Sequence, residues 1–437
     1  MGQCPCEDAD ITLQLQKKLT PLLENGQLAP LFFEIEMPLI EVLVAIETTG
    51  VKVDTCMLQK LSQEMTTERE ILANTIYQLG GGPFNIASPK QLGEVLFNKL
   101  KITEKPIKTK TGQYATGEEV LTKLVDKHPI IREILSYREL QKLQSTYVDA
   151  LPTMIHPTTG KIHTSYNQAV VTTGRLSSSN PNLQNIPIRT QRGKAICKAF
   201  VPSLPTNLLL TADYSQIDLR IMAAYAQDVT MITAFKDNKD IHRITASKLF
   251  KVALGEVSDD MRRKAKTASF GIIYGISPFG LAQRIDTISR KEAASLIDAY
   301  FKEFPGVKSY MDQVISQARE QGYVTTLRGR KYFLKDINSK NGTLRGLAER
   351  NAINTPIQGS AAEMIKLAMI QIHQWIQKEK IQSTMIMQVH DELVFDVYPA
   401  ELEVLKETIP LLMEQAIPID VPIEVAVGVG RNWLEAH

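Results

Sequence analysis

Two apolar, strand-like runs that each deliver an aspartate limit this sequence more than any other feature. Residues 208–212 are short and apolar and lead directly into Asp213. Residues 385–389 and 393–397 flank His390, Asp391 and Glu392, a pattern that predicts a hairpin with three polar residues at its tip. About 150 residues of mostly helical pattern lie between the two sites, and a further helical block precedes them. A sheet interrupted by one helical insertion and preceded by another predicts an α+β chain of three subdomains.

Length and composition permit this. The 437 residues are 43% hydrophobic, enough for a large core and two or three domains. No run of 18 or more apolar residues exists, which excludes a membrane-spanning helix. The start, Met1-Gly2-Gln3-Cys4, lacks a basic-then-apolar leader pattern, so the expected location is cytoplasmic. Cys4, Cys6, Cys56 and Cys197 contain no Cys-x-x-Cys pair and read as reduced thiols. A net charge of +2 argues only weakly for nucleic acid, but the cations cluster. Arg262, Arg263, Lys264 and Lys266 form one group, Lys105, Lys108 and Lys110 a second, and Arg189, Arg192, Lys194 and Lys198 a third. Each alone fits a solvated face better than a binding site.

The first helical block is legible from its stops. Helical apolar spacing over 58–79 ends at Gly80-Gly81-Gly82-Pro83, and a second helical region over 117–151 is split near Pro129. Residues 105–116 between them are a polar loop.

Asp213 and Asp391 carry the first chemical reading. A buried strand end is a costly place for an unpaired carboxylate, and two facing carboxylates repel unless cations lie between them. Magnesium suits such a pair, because it takes one or two carboxylates and shares its remaining positions with water and phosphate. Two ions would activate a 3′-hydroxyl and stabilise leaving pyrophosphate. On spacing alone the plainer alternative stays open: Asp213 capping the following helix, over 215–226, and Asp391 as a turn residue.

A helix is predicted from Ser258 to about Gly275, with Ser258 as N-cap and Asp259 and Asp260 in the first turn. Arg262, Lys266, Phe270 and Tyr274 recur every four residues and share one broad face about 18 Å long. The order cation, cation, aromatic, aromatic matches phosphates, sugar and base of a nucleoside triphosphate. An amphipathic helix with a basic exposed end fits the same pattern. The glycines at 271 and 275 favour the first reading by permitting close approach. Residues 173–187 form a long loop rich in amide and hydroxyl donors, suited to minor-groove acceptors and phosphates that are alike for every base pair.

Together these segments resemble family A DNA polymerases. The run from Asp213 to Arg220 resembles the family's first metal-binding motif, 262–275 its nucleotide-binding helix, and 388–392 its second carboxylate motif. The 173–187 loop and 350–359 match two more, in the family's order. The similarity, to the polymerase region of bacterial members, covers roughly 33–437 and includes the ending Gly430-Arg431-Asn432-Trp433. It implies a right-hand polymerase fold of the α+β class: a palm with an antiparallel sheet, and helical fingers and thumb. The implied boundaries are a remnant of an exonuclease domain and lead-in at 1–32, the start of the palm at 33–52, thumb at 53–152, palm with the first metal aspartate at 153–230, fingers at 231–366, and palm with the second at 367–437.

The resemblance also implies roles. Asp213, Asp391 and the Tyr214 carbonyl hold two Mg2+ ions, with Mn2+ able to substitute, and Glu392 assists. Lys266 donates a proton to pyrophosphate. Arg262, Lys266 and His242 meet the incoming dNTP's triphosphate, Phe270 and Tyr274 flank its sugar and base, and Gln216 and Asp218 complete that set. Primer-template DNA meets Arg175, Asn182, Gln184, Asn185, Asn354, Gln358 and His390, with Arg350 on the template side and Arg138 and Lys142 on the duplex backbone. The implied enzyme is a monomer with no membrane partner.

Two departures stand out. Asp218 occupies a position where bacterial members usually carry Glu, which lies against C2′ of the nucleotide and bonds the tyrosine matching Tyr274. Near the start, residues 6–12 resemble the end of the family's proofreading domain, with Asp8 at its last metal carboxylate and Cys4 where a tyrosine is usual. Neither proofreading nor 5′-nuclease activity is expected. The alternatives are a catalytically silent DNA-binding polymerase fold and a single-subunit RNA polymerase. The full set of carboxylates and cations argues against the first, and the acidic Asp218, which would crowd a 2′-hydroxyl, against the second.

Overall fold

In the computed structural model, which describes residues 4–188, 190–285 and 287–437 but not the side chains of residues 4–6, the chain divides into two compact units. One comprises Gly50–Thr164, Asn180–Leu209 and Val429–His437; the other holds the residues up to Thr49, Ser165–Ser179 and Leu210–Gly428. Arg189, named above in a basic group, lies outside the described residues, as do the side chains of Cys4 and Cys6.

The first of these units is helical for reasons written into its ends. Helix α1, Thr55–Gly80, starts where the Asp54 carboxylate accepts from Met57 N–H at 2.9 Å, and stops at Gly81, whose φ of +72° few other residues adopt. Helix α2, Ile130–Leu143, begins directly after Pro129. Ile76 from α1 and Ile130, Ile131 and Ile134 from α2 join Leu92, Leu96 and Leu121 in one buried cluster. Residues 105–116 carry no helix or strand, only a bridge between Lys108 and Tyr114.

The other unit contains the sheet. Strand β1, Leu208–Tyr214, is buried from Leu209 to Ala212, as a strand flanked on both sides must be. Helix α3, Ile217–Ala226, follows it, then α4, Ile241–Phe250, and α5, Asp259–Ile273. A small antiparallel hairpin pairs β2, Tyr323–Thr325, with β3, Lys331–Phe333, and leads to the long helix α6, Gly342–Lys378. Strands β4, Thr384–Val389, and β5, Glu392–Val397, are antiparallel, and β6, Val425–Gly430, completes the four-stranded order β6-β1-β5-β4.

The hairpin differs from its sequence pattern in one respect. Val389 pairs with Glu392, so the tip is His390-Asp391 alone, and Glu392 is a buried strand residue. Its neighbours supply enough apolar packing to extend the strand through a charged position. Likewise Asp213 lies inside β1 rather than beyond it, and the N-cap position of α3 is Gln216. The N-terminal helix Cys4–Asn25 leaves Asp8 exposed. Cys56 is exposed and Cys197 buried. Among the described residues no helix is long and apolar enough to cross a membrane.

Candidate active site

The two aspartates meet through the sheet. β1 and β5 are neighbours, and Tyr214 N–H donates to the Asp391 carbonyl at 3.2 Å, joining the two motifs main chain to main chain. Two side groups hold this junction. The Tyr214 hydroxyl donates to the Met413 carbonyl at 2.7 Å. Buried Arg220 donates from Nε to the Ser215 carbonyl at 2.9 Å, pairs with Glu424 and lies over the Phe235 ring at 4.6 Å. The spacing of Arg220 from Ser215 carries no sequence signal of this clamp.

Burial pushes the Asp391 carboxyl up to about 6, the Asp218 carboxylate adds to the rise, and Arg175, whose Nη2 lies 3.8 Å from Asp391 Oδ1, opposes it. Among the described residues no group of three or more His, Cys, Asp or Glu side chains gathers as a ready metal cage. The donors offered by Asp213, Asp391 and the Tyr214 carbonyl are all hard oxygens, two of them carboxylates. That set fits Mg2+, which fills its other positions from water and phosphate, and a cation there would relieve the unfavourable charge on Asp391.

Beside Asp391 the Tyr274 hydroxyl donates to Asp218 Oδ2, and burial followed by the Asp218 charge pushes the phenol well up. Tyr274 ends α5, and the chain then turns through Gly275 at φ +69°; a Cβ there would lie 3.0 Å from Arg350 Cγ. Asn354 Nδ2 donates to the Tyr274 carbonyl at 3.4 Å. Gln216 Oε1, Asp218 Oδ1 and Asn354 Oδ1 are buried acceptors without a partner. Buried polar atoms are normally satisfied; Gln144, Thr173, Ser269 and Tyr310 carry further orphans, but Gln216, Asp218 and Asn354 are predicted site residues, where an open acceptor suits a ligand.

Helix α5 starts as its sequence predicts, with Ser258 Oγ accepting from Met261 N–H at 3.2 Å. Arg262 Nε donates to Asp240 Oδ2 at 2.6 Å, while Asp240 Oδ1 caps α4 through His242 N–H at 2.9 Å. Asp240 escaped the sequence reading, although an Asp before an apolar helix start is a readable cap signal. The His242 ring is 1% exposed, lies 5.7 Å from the Phe270 ring and has no partner at either nitrogen. Burial, then Lys266, hold its pKa down to about 4, against the pull of Asp240, so it is neutral at pH 7. Lys266 is exposed.

On α6, Arg350, Asn354 and Gln358 recur every four residues, Arg350 exposed and the other two half-buried. His390 is exposed at the hairpin tip with φ +54°. The second DNA set lies in the other compact unit: Arg138, Lys142, Asn182 and Asn185 line one cavity of about 700 Å³. There Asn182 accepts from the backbone N–H of buried Gln184 at 3.0 Å.

Sheet, carboxylate hairpin and cation-then-aromatic helix define a polymerase fold of the α+β class. The sequence profile of DNA polymerase family A matches residues 55–435. DNA polymerase I of Geobacillus stearothermophilus is 49% identical over 97% of this chain and 48% of its own length, and that of Pseudomonas aeruginosa 49% identical over 100% and 48%. The POL domain of Pol1 from M. smegmatis, solved in complex with DNA primer-template and dNTP, superimposes with a TM-score of 0.92 at 42% identity, covering 97% of this chain and 74% of that one. The chain belongs to DNA polymerase family A. It spans about half the length of the curated relatives it matches.

Proposed function

We propose that the chain is a DNA-templated DNA polymerase that adds dNTPs to a primer 3′-hydroxyl. The observation that carries this reading is the Tyr214-to-Asp391 main-chain bond, which joins the end of β1, where Asp213 lies, to the tip of the neighbouring hairpin, where Asp391 lies. In this reading the sheet is the palm, 231–366 the fingers and 53–152 the thumb. Asp213, Asp391 and the Tyr214 carbonyl hold Mg2+, which when bound lowers the charge barrier to attack and pyrophosphate release. Glu392 backs this carboxylate set from β5.

The chain's own side chains do the rest. Arg262 leaves Asp240 or shares it, and neutralises the triphosphate together with Lys266. Lys266, exposed and mobile on its stem, gives its proton to the leaving pyrophosphate. Neutral His242 donates a hydrogen bond to phosphate. Phe270 and Tyr274 stack on sugar and base, and Asp218 and Gln216 line the sugar edge. Arg175, Asn354, Gln358 and His390 grip the primer-template minor groove, Arg350 supports the template, and Arg138, Lys142, Asn182, Gln184 and Asn185 hold the duplex. The enzyme acts as a cytoplasmic monomer.

The test is incubation with primed template, Mg2+ and one labelled matched dNTP, beside a parallel arm with the rNTP. Extension with dNTP and little with rNTP is expected. No extension would leave a silent DNA-binding fold, and rNTP preference would mean an RNA polymerase.

A further inference from the structure

The unit that holds the carboxylate site also holds a second group of charges that the proposed reaction does not touch. Lys366 on α6 is fully buried and donates to both oxygens of Glu36, at 2.8 and 3.1 Å. Arg330, from the turn between β2 and β3, pairs with Glu36 through Nη2 and with Glu363 through Nε at 3.3 Å. Glu363 is also fully buried and accepts from Thr326 Oγ1 at 2.7 Å. Two carboxylates and two cations thus balance. A buried pair of this kind gains little over a well-packed apolar replacement, because desolvation offsets the attraction. Stability alone does not account for it.

Its contacts suggest what it holds. The loop carrying Arg175 joins the short strands Ser165–Asn167 and Ser177–Ser179. At one end of that loop, Gln168 Nε2 donates to Glu36 Oε2 at 2.7 Å and to the Glu36 carbonyl at 3.0 Å. Near the other end, Gly174, at φ +82°, lies close against the Arg330 side chain: a Cβ there would be 2.7 Å from Nε and 3.0 Å from Cζ. Between them the Thr173 carbonyl lies against Gly359 of α6, 3.1 Å from where a Cβ would stand. The next residue, Arg175, is the cation beside Asp391.

We infer that the Glu36–Lys366–Arg330–Glu363 cluster is a positioning device for Arg175, anchoring its loop at Gln168 and at Gly174. Arg330 and Gln168 are positioning residues: neither touches substrate, and both act through Arg175. The inference rests on the polymerase reading for its effect on rate, but not for its effect on the loop.

The test therefore has two arms. In hydrogen exchange, Arg330→Met and Gln168→Leu should speed exchange at 172–176 and leave the hairpin 384–397 unchanged. Unchanged exchange at 172–176 in a folded variant overturns the proposal whatever the protein's activity. In single-turnover insertion of one dNTP, Arg330→Met should slow the rate about tenfold to a hundredfold, the scale of a small misplacement, and leave primer-template Kd within about twofold. In an Arg175→Ala background it should add nothing, because coupled residues are not additive. Arg330→Lys should restore melting temperature but not rate, since it keeps the charge and loses the flat group behind Gly174. Additive losses, or a full rate in Arg330→Met, overturn the proposal. If Arg330→Met does not fold, Gln168→Leu, at a half-buried position, decides by the same criteria. A wild type that inserts no nucleotide sinks the polymerase reading, and the exchange arm still decides this one.

Discussion

Glu36 and Asp391, one carboxylate from each charged cluster of the sheet-containing unit, answer burial in opposite ways, although burial raises the Glu363 carboxyl as well. Burial would push the Glu36 carboxyl up, but Lys366 and Arg330 outweigh it and hold the group below the usual carboxylate range. Among the described residues the cation beside Asp391 is Arg175, at 3.8 Å and therefore beyond hydrogen-bonding distance, and the Asp391 carboxyl is pushed up to about 6. Glu36 accepts from Lys366, Arg330 and Gln168, whereas Asp218 keeps a buried oxygen without a partner. What separates Glu36 from Asp391 is compensation. A satisfied cluster fixes geometry; an unsatisfied one has a stake in whatever binds next to it.

The harshest way to break this contrast is to remove a site carboxylate. Asp213→Ala and Asp391→Ala should each abolish primer extension while primer-template affinity survives, because each removes transition-state stabilisation worth several kcal/mol. Extension by either variant within tenfold of wild type would end the two-metal assignment. On α5 the division is finer. Lys266→Ala should lower the insertion rate about 10²–10⁴-fold at saturating dNTP, through the lost general acid. Arg262→Ala should chiefly raise the dNTP Kd, because Asp240 already bears part of its charge. Equal effects of the two on rate and affinity would erase the distinction between donor and binder.

Stability should run the other way. Lys366→Met leaves Glu36 with one cation fewer in a buried site, and breaking a buried pair costs about 3–5 kcal/mol. Asp391→Asn removes a charge facing Asp218 and should leave stability equal or raised. Urea melts of the two variants measure this. A Lys366→Met protein as stable as wild type, or an Asp391→Asn protein clearly weaker, would show that compensation is not what divides the clusters.

How much of this was legible follows from sequence distance. Helix α5 was readable because its signals are local: Ser258 as cap, Asp259 and Asp260 in the first turn, a four-residue repeat, Gly275 at the stop. The fold class followed from strand runs and their order. The hairpin tip was misjudged by one residue because Glu392 looks like a turn residue until its register partner Val389 is known. The balanced cluster was invisible. Lys366 and Glu36 stand 330 positions apart, and each alone reads as a solvated charge on a helix. No local pattern announces that a lysine is fully buried. The proposed site residues rest on motifs, whereas the clamp of Arg220 on Ser215 and the hold of Asp240 on Arg262 are facts of packing.

The smallest expected effect concerns Asp218, where the two kinds of cluster meet in one residue: one oxygen is bonded by Tyr274, the other has no partner. A glutamate at this place would exclude a 2′-hydroxyl by occupying its space, and aspartate is one methylene shorter. Had the backbone stayed put, the shorter side chain would fall about 1.5 Å short. The bond to Tyr274 is nevertheless made, so on that side the gap is closed. Asp218→Ala removes both the bond and the bulk and should lower dNTP-over-rNTP selectivity by tenfold or more, a change of about 1.4 kcal/mol or above. Asp218→Glu must fit an extra methylene into a contact that already exists, so it should shift the ratio by less than tenfold, upward if the carboxylate reaches further toward the sugar. Single-nucleotide incorporation of matched dNTP and rNTP by the three proteins gives the ratios. An unchanged ratio in Asp218→Ala would mean that Asp218 is not the gate. A rise well beyond tenfold in Asp218→Glu would mean that the bond to Tyr274 closes the wrong side of the gap and that the unpartnered oxygen marks space still open to a 2′-hydroxyl.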